Sequence, residues 1–114
     1  MKITIYSKGA YEVLSIEEEL SVISDLQELK YLVDGYLRQG KNHIALRFPG
    51  TSYIYSGAIA ILLHCLKEIR DENGVLCIIE PNPNIHNILD TLNVTRLIRI
   101  ALSEDELMMP EGKK

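Results

Sequence analysis

The stretch of sequence that decides the fold is residues 51–70, TSYIYSGAIAILLHCLKEIR. In its second part, apolar residues recur every three or four positions: Ala58, Ile61, Leu62, Cys65, Leu66 and Ile69. This spacing is typical of one face of an α-helix, so we predict a helix over residues 58–70 that packs this face on the core. Ser56 stands just before the apolar face, and its hydroxyl is predicted to cap the first turn. The helix start is predicted to expose backbone amides with no acidic residue beside them.

Strand and helix patterns precede this stretch in the chain. Residues 2–6 and 11–15 have strand-like sequences on either side of a Ser-Lys-Gly turn, which predicts an N-terminal β-hairpin. Apolar residues at helical spacing then predict a helix over residues 22–39. Its start is marked by the Ser-Asp pair at residues 24–25, and its end by Gly40, which fits the C′ position.

The alternation continues after the central helix. Asn82 and Pro83 are predicted to start a further helix, because asparagine is a common N-cap and proline suits the first helical position. The run Ser-Glu-Asp-Glu at residues 103–106 resembles a capping box that opens one helical turn. Further strands are predicted at residues 43–48, 75–80 and 97–101. A hairpin followed by alternating helices and strands predicts a single α/β domain with a mixed sheet.

Composition limits the class of protein. A chain of 114 residues fits one domain, which we assign to residues 1–107, with residues 108–114 as a flexible C-terminal tail. The net charge of −4 argues against nucleic-acid binding. No apolar run approaches about 18 residues and no signal sequence is visible, so we expect a cytoplasmic protein that does not bind a membrane. Cys65 and Cys77 lie in apolar runs without C-x-x-C spacing, which predicts two buried free thiols.

The sequence shows no catalytic or metal-binding motif. His43, His64 and His86 fall in three different predicted elements, so no metal site is predicted, and His64 is expected to be exposed. Neither G-x-G-x-x-G nor G-x-x-x-x-G-K occurs, and no cofactor is expected. The string Tyr-Ser-Gly-Ala around Ser56 lacks the first glycine of a nucleophile elbow, so hydrolase chemistry is not expected either. The protein is predicted not to be an enzyme.

Several local strings follow one another in a recognisable order. Tyr53, Ile54 and Ser56 precede a leucine-rich helix, the apolar run at residues 75–80 leads into Pro-Asn-Pro, and Asn-Ile-Leu-Asp follows at residues 87–90. From about residue 2 to about residue 106, this order resembles the STAS family, the anti-sigma-factor antagonists of bacteria. The family pattern has a loop ending in aromatic-Ile-Asp-Ser-Ser-Gly-Leu-Gly before a helix. The resemblance implies the STAS fold and a regulatory protein that controls transcription by binding other proteins.

This chain departs from the family motif at several positions. Tyr55 stands in place of the family's aspartate, and Gly57 in place of the serine that a partner kinase phosphorylates. Ala58 replaces the glycine that follows, and Arg47 replaces an aspartate in the preceding strand. Because Gly57 cannot carry a phosphate, the resemblance implies a module without the usual phospho-switch. A register shifted by one residue would instead place Ser56 at the phosphorylated position.

Three functions remain open at this stage. The first is a regulatory module that docks on an anti-sigma factor or a related serine-kinase-like protein through the turn before the central helix. Its predicted partner-binding residues are Tyr53, Tyr55, Ser56, Gly57, Ala58 and Arg47. The second is a sensor that binds a small anion or a nucleotide at the helix start, residues 56–58. The third is a non-switching scaffold that self-associates, for example as a homodimer.

Overall fold

Five strands form one mixed sheet in which each strand pairs with the one before it in the sequence. The computed structural model describes residues 2–20, 26–50 and 53–109. The first two strands form an antiparallel hairpin, and the later pairs are parallel. The strands are β1 (Ile3–Lys8), β2 (Tyr11–Ile16), β3 (His43–Arg47), β4 (Val75–Ile79) and β5 (Arg99–Ala101). The helices are α1 (Gln27–Arg38), α2 (Ser56–Asp71) and α3 (Pro83–Thr91), with short 3₁₀ helices at Thr95–Leu97 and Glu104–Met108. The predicted α/β domain with an N-terminal hairpin and a mixed sheet is confirmed.

All three α-helices cover the same face of the sheet. Their buried side chains form one apolar core with alternate residues of the strands, such as Leu14, Ile44 and Leu76. The opposite face, which we call the second face, carries a smaller cluster. Its members are Tyr11, Val13, Ala45, Cys77, Ile79, Ala101 and Leu107. Since Leu107 belongs to the second 3₁₀ helix, this short element packs on the second face.

The first strand ends two residues later than predicted, so the hairpin turn is shifted along the chain. β1 continues through Ser7 and Lys8, which were assigned to the turn, and Lys8 is paired with Tyr11. Gly9 takes a φ of +61°, a conformation that glycine adopts without steric cost. A side chain there would also come within 2.7 Å of the Leu107 carbonyl oxygen. The turn position is therefore fixed both by backbone conformation and by the packing of the second 3₁₀ helix.

Helix α1 starts later than its apolar spacing predicts. Leu26 is completely buried and takes a left-handed conformation with φ of 55°, so the helix begins at Gln27 and not at residue 22. The predicted cap at residues 24–25 lies outside the described residues. The predicted C-terminal end is confirmed, because Gly40 has φ of +79° and follows the C-cap Gln39. The Lys41 amide donates to the Tyr36 carbonyl at 2.9 Å, as in a Schellman motif.

Helix α2 has the predicted apolar face but a different N-terminus. Ala58, Leu62, Cys65, Leu66 and Ile69 are buried, and Ile61 is half-buried against the same core. Burial raises the pKa of the Cys65 thiol to about 12. The prediction that Ser56 caps the helix is wrong, because Tyr55 occupies the N-cap and no side chain caps this end. Ser56 is the first helical residue. His64 is half-buried and not exposed as predicted.

The C-terminal elements follow the predicted order with shorter strands. The Asn82 side chain accepts a hydrogen bond from the Ile85 amide at 2.9 Å, which confirms it as the N-cap of α3. β4 ends at Ile79 because Glu80 turns to a left-handed φ of 47°. The predicted helical turn at residues 103–106 forms as the second 3₁₀ helix, but the Ser103 side chain makes no capping hydrogen bond. Of the predicted tail, residues 110–114 lie outside the described part of the chain.

Cys65 and Cys77 are both buried and neither forms a disulfide, as predicted. Within residues 2–20, 26–50 and 53–109, no helix combines the length and apolar character needed to cross a lipid bilayer.

Candidate functional site

The loop between β3 and α2 is fixed to the core close to both of its ends. Phe48 follows β3 and is 7% exposed, and Ile54 lies two residues before α2 and is 5% exposed. Both side chains belong to the core under the helices. Burying such side chains contributes about 1.5–3 kcal/mol each, so the last part of the loop is held against the domain. The residues next to Ile54 are therefore presented at a defined place on the surface.

Four predicted site residues lie together at this place, and we call them the α2 turn: Tyr53, Tyr55, Ser56 and Gly57. The Tyr53 side chain is 58% exposed, Ser56 and Gly57 are exposed, and Tyr55 is half-buried. Tyr55 has extended backbone angles and its carbonyl oxygen accepts the first helical hydrogen bond, from the Ile59 amide at 2.8 Å. The first turn of α2 carries no acidic residue, so no carboxylate within that turn offsets the partial positive charge of the helix N-terminus.

Ala58 is completely buried, in contrast to the four residues of the α2 turn. It belongs to the core that also contains Leu62 and Ile54. Its side chain therefore serves the packing of α2 on the sheet and lies away from the surface on which a partner would bind.

Arg47 lies on the second face, in a network of four polar side chains. Its guanidinium contacts the Glu104 carboxylate at 2.8 Å and the Glu80 carboxylate at 3.3 Å. The Tyr6 hydroxyl donates to the same Glu104 oxygen at 2.5 Å. We call these residues the Arg47 network: Tyr6, Arg47, Glu80 and Glu104. It links β1, β3, the end of β4 and the second 3₁₀ helix.

The Arg47 network pairs opposite charges and raises the pKa of Tyr6. Two carboxylates flank one guanidinium, so the positive charge of Arg47 is compensated within the fold. Burial, together with the hydrogen bond and negative charge of Glu104, raises the pKa of Tyr6 to about 12. A cavity of about 310 Å³ adjoins the network at the carboxyl ends of β2, β3 and β4. Its lining includes Ser15, Glu17, Arg47, Phe48 and Glu80 but none of residues 53–58.

The sequence did not predict the Arg47 network. From the sequence, Arg47 is grouped with the residues of the α2 turn in one predicted partner-binding set. Among the described residues, its ion pairs are with Glu80 and Glu104. Glu104 lies 57 residues further along the chain, and its acidic run suggested only a helix start. A local pattern carries no information about a partner at that distance.

Comparison with known proteins identifies the family. The STAS domain model matches residues 4–107, so the chain belongs to the STAS domain family. A relative from Thermotoga maritima, named "Putative anti-sigma factor antagonist", is 25% identical over 102 residues, which cover 90% of each chain. A relative from Thermotoga neapolitana, named as a homolog of such an antagonist, is 24% identical over 88 residues, covering 77% of this chain and 78% of that one.

Solved structures show the same fold. The crystal structure of the Thermotoga maritima protein superimposes with a TM-score of 0.78 at 23% identity, covering 93% of this chain and 91% of that one. The Bacillus cell-fate determinant SpoIIAA, solved in its phosphorylated form, gives a TM-score of 0.73 at 15% identity over 93% of this chain and 96% of that one. At these identities the structural likeness extends to the fold alone. The predicted family and fold are confirmed, while the roles of the α2 turn and Arg47 remain predictions.

Proposed function

We propose that this protein is a non-catalytic regulatory module that binds an anti-sigma factor, or a related serine-kinase-like protein, through the α2 turn. The observation that supports this most directly is the exposed Tyr53 next to the buried Ile54. A tyrosine presented from an anchored backbone supplies a large contact area at a low entropic cost, and tyrosine is enriched among the residues that dominate interfaces. The names of the relatives are consistent with such a partner.

The anion-sensor alternative receives less support. This alternative uses Arg47 as a positive charge near the start of α2 that would attract the anion. The Arg47 guanidinium instead pairs with two carboxylates on the second face. Without Arg47, this alternative depends on the first-turn amides of α2 and on Ser56, which by themselves do not define a ligand site.

The proposed interface is tested by changing its two tyrosines. Native cell extract is passed over the immobilised protein, the bound kinase-like protein is identified, and its affinity is measured with purified components. Tyr53→Ala and Tyr55→Asp should each weaken binding by about 2 kcal/mol or more, roughly thirtyfold, because each removes an aromatic contact. Tyr31→Ala is the matched control, since Tyr31 is 68% exposed on α1 and outside the α2 turn. If both variants stay folded and bind with unchanged affinity, the α2 turn is not the interface.

A second prediction concerns phosphorylation. Gly57 stands at the family's phosphorylated position and has no hydroxyl, while Ser56 is exposed as the first residue of α2. We therefore expect no stoichiometric phosphate after incubation with the cognate kinase, measured by intact mass and peptide mapping. Gly57→Ser, which places a hydroxyl at the family position, is the comparison and is expected to accept phosphate. Full modification of Ser56 in the unmodified sequence would show that the switch is present in the shifted register.

A further inference from the structure

The packing of α1 against α2 brings together three side chains that can bind a metal ion. Asp34 lies on α1, and His64 and Glu68 lie on α2. Each offers one ligand atom, and the three atoms all lie within 4.8 Å of one another. All three residues are half-buried. His64 and Glu68 are four residues apart, so they project from the same side of their helix.

The three ligands match a particular class of ion. One imidazole nitrogen and two carboxylate oxygens suit borderline divalent ions such as Zn²⁺ or Co²⁺, whereas Ca²⁺ and Mg²⁺ prefer oxygen alone. Three protein ligands with a remaining open position form a common arrangement for Zn²⁺. Space for that position exists, since a cavity of about 360 Å³ opens beside the cluster and is lined by Asp34 and Glu68.

Both positively and negatively charged side chains surround the three-residue cluster. From α1, the Lys30 ammonium approaches the Asp34 carboxylate at 3.3 Å, and Arg38 lines the cavity. From α2, Glu68 and the exposed Glu72 line the same cavity. The two clustered carboxylates repel each other at such short range. A divalent ion between them removes this repulsion and competes with Lys30 for Asp34.

We propose that Asp34, His64 and Glu68 form a binding site for a divalent transition-metal ion, with Zn²⁺ as the expected occupant. The ion ties α1 to α2 by ligands from both helices. Because it binds the folded protein, it raises the melting temperature in proportion to the logarithm of its free concentration. The site is independent of the α2 turn and of the partner proposed above.

The test uses the untagged full chain after removal of metal with a chelator. Zn²⁺ binding is measured by titration calorimetry and by the metal-dependent rise in melting temperature, and Co²⁺ binding by its visible absorption. His64→Ala, Glu68→Gln and Asp34→Asn are each expected to weaken binding at least tenfold. The matched control is His86→Ala, because His86 and Asp90 form a similar pair four residues apart on α3 at 3.3 Å. This control should leave the affinity unchanged.

The outcomes separate the proposed site from weaker alternatives. The readout is the change that metal causes within each variant, so a variant of lower intrinsic stability remains informative. If Asp34→Asn binds as tightly as the unmodified protein, the ion is held by α2 alone and the three-ligand site is wrong. If His86→Ala loses binding and His64→Ala does not, the ion sits on α3. The absence of any saturable binding of Zn²⁺ or Co²⁺ also overturns the proposal.

Discussion

Arg47 connects more elements of this fold than its position in a strand suggests. The residue ends β3, yet its two ion pairs reach Glu80 after β4 and Glu104 in the second 3₁₀ helix. Both pairs are partly exposed, so each contributes modestly to stability, at about 0–1 kcal/mol. The pair with Glu104, together with the buried Leu107, holds the second 3₁₀ helix against the sheet. The arginine at this position, where the family motif has an aspartate, therefore takes part in a network that joins several elements of the fold.

Tyr6 in the same network makes stability depend on alkaline pH. Burial and Glu104 raise its pKa from 10.0 to about 12. Between these values the unfolded chain loses the phenolic proton while the folded protein retains it, so stability falls as pH rises. Below pH 10 the full contribution of Tyr6 to the unfolding free energy is retained. We expect Tyr6→Phe to show a shallower loss of unfolding free energy between about pH 10 and about pH 12 in urea titrations.

The unfolding free energy of the Tyr6→Phe variant should still fall to some extent at alkaline pH. Burial, followed by the charge of Glu12, also raises the pKa of Tyr36, which acts in the same direction. Tyr36→Phe serves as the comparison, and combining the two changes should flatten the profile further. A Tyr6→Phe profile parallel to that of the unmodified protein would show that Tyr6 ionises normally in the fold.

At the scale of elements, α2 is stabilised mainly by its buried face. Leu62 is 1% exposed in the centre of that face, whereas the neighbouring Ile61 is only half-buried. Leu62→Ala should lower the unfolding free energy by about 2–5 kcal/mol, because it removes buried methyl groups and leaves a cavity. Ile61→Ala should lower the unfolding free energy by clearly less than Leu62→Ala does. Both values come from urea titrations monitored by circular dichroism, and equal losses would mean that the buried face is assigned incorrectly.

The accuracy of the sequence predictions differs between helix bodies and helix ends. The apolar spacing of α2 and the Asn82 cap of α3 were correct, because both depend on residues within a few positions of each other. The start of α1 was wrong, since it depends on a buried leucine in a left-handed conformation that residue type does not favour. The Ser56 cap was wrong because α2 begins at Ser56 itself, two residues before its first buried residue, Ala58.

In the candidate site too, features that depend on nearby residues could be predicted and those that depend on distant residues could not. The α2 turn could be located from the sequence, since Tyr53 and Tyr55 adjoin the helix that they precede. The contacts of Arg47 could not, because Tyr6 and Glu104 are brought together from opposite ends of the chain, 98 residues apart. The three proposed metal ligands were missed for a similar reason: His64 and Glu68 are local, but Asp34 approaches them only after α1 and α2 pack together.

At the scale of the whole molecule, the two faces of the sheet are covered unequally. Three helices pack on one face, while the cluster on the second face includes Leu107, from a five-residue 3₁₀ helix. Leu107 is 3% exposed, and Leu102, shortly before the same 3₁₀ helix, is 74% exposed. The contribution of the 3₁₀ helix to closing the second face can therefore be measured with one pair of variants.

Leu107→Ala should lower the unfolding free energy by about 2–5 kcal/mol, because it opens the apolar cluster of the second face. Leu102→Ala is the control and should change it by no more than about 0.5 kcal/mol, as surface substitutions usually do. The measurement is urea denaturation at neutral pH. A small effect of Leu107→Ala would mean that the second face is stable without this cover.

The sequential order of the strands bears on how the chain folds as a ribosome synthesises it. Each strand pairs with the strand before it in the sequence. A new strand that leaves the exit tunnel can therefore pair with the edge of a strand that has already been synthesised. The hairpin can form first, and each later helix and strand can be added without displacing an earlier one. The contacts of the second 3₁₀ helix with Tyr6, Lys8 and Arg47 require this late segment to return to strands made earlier. During synthesis, the apolar cluster of the second face therefore stays without this cover until residues 104–108 have left the ribosome.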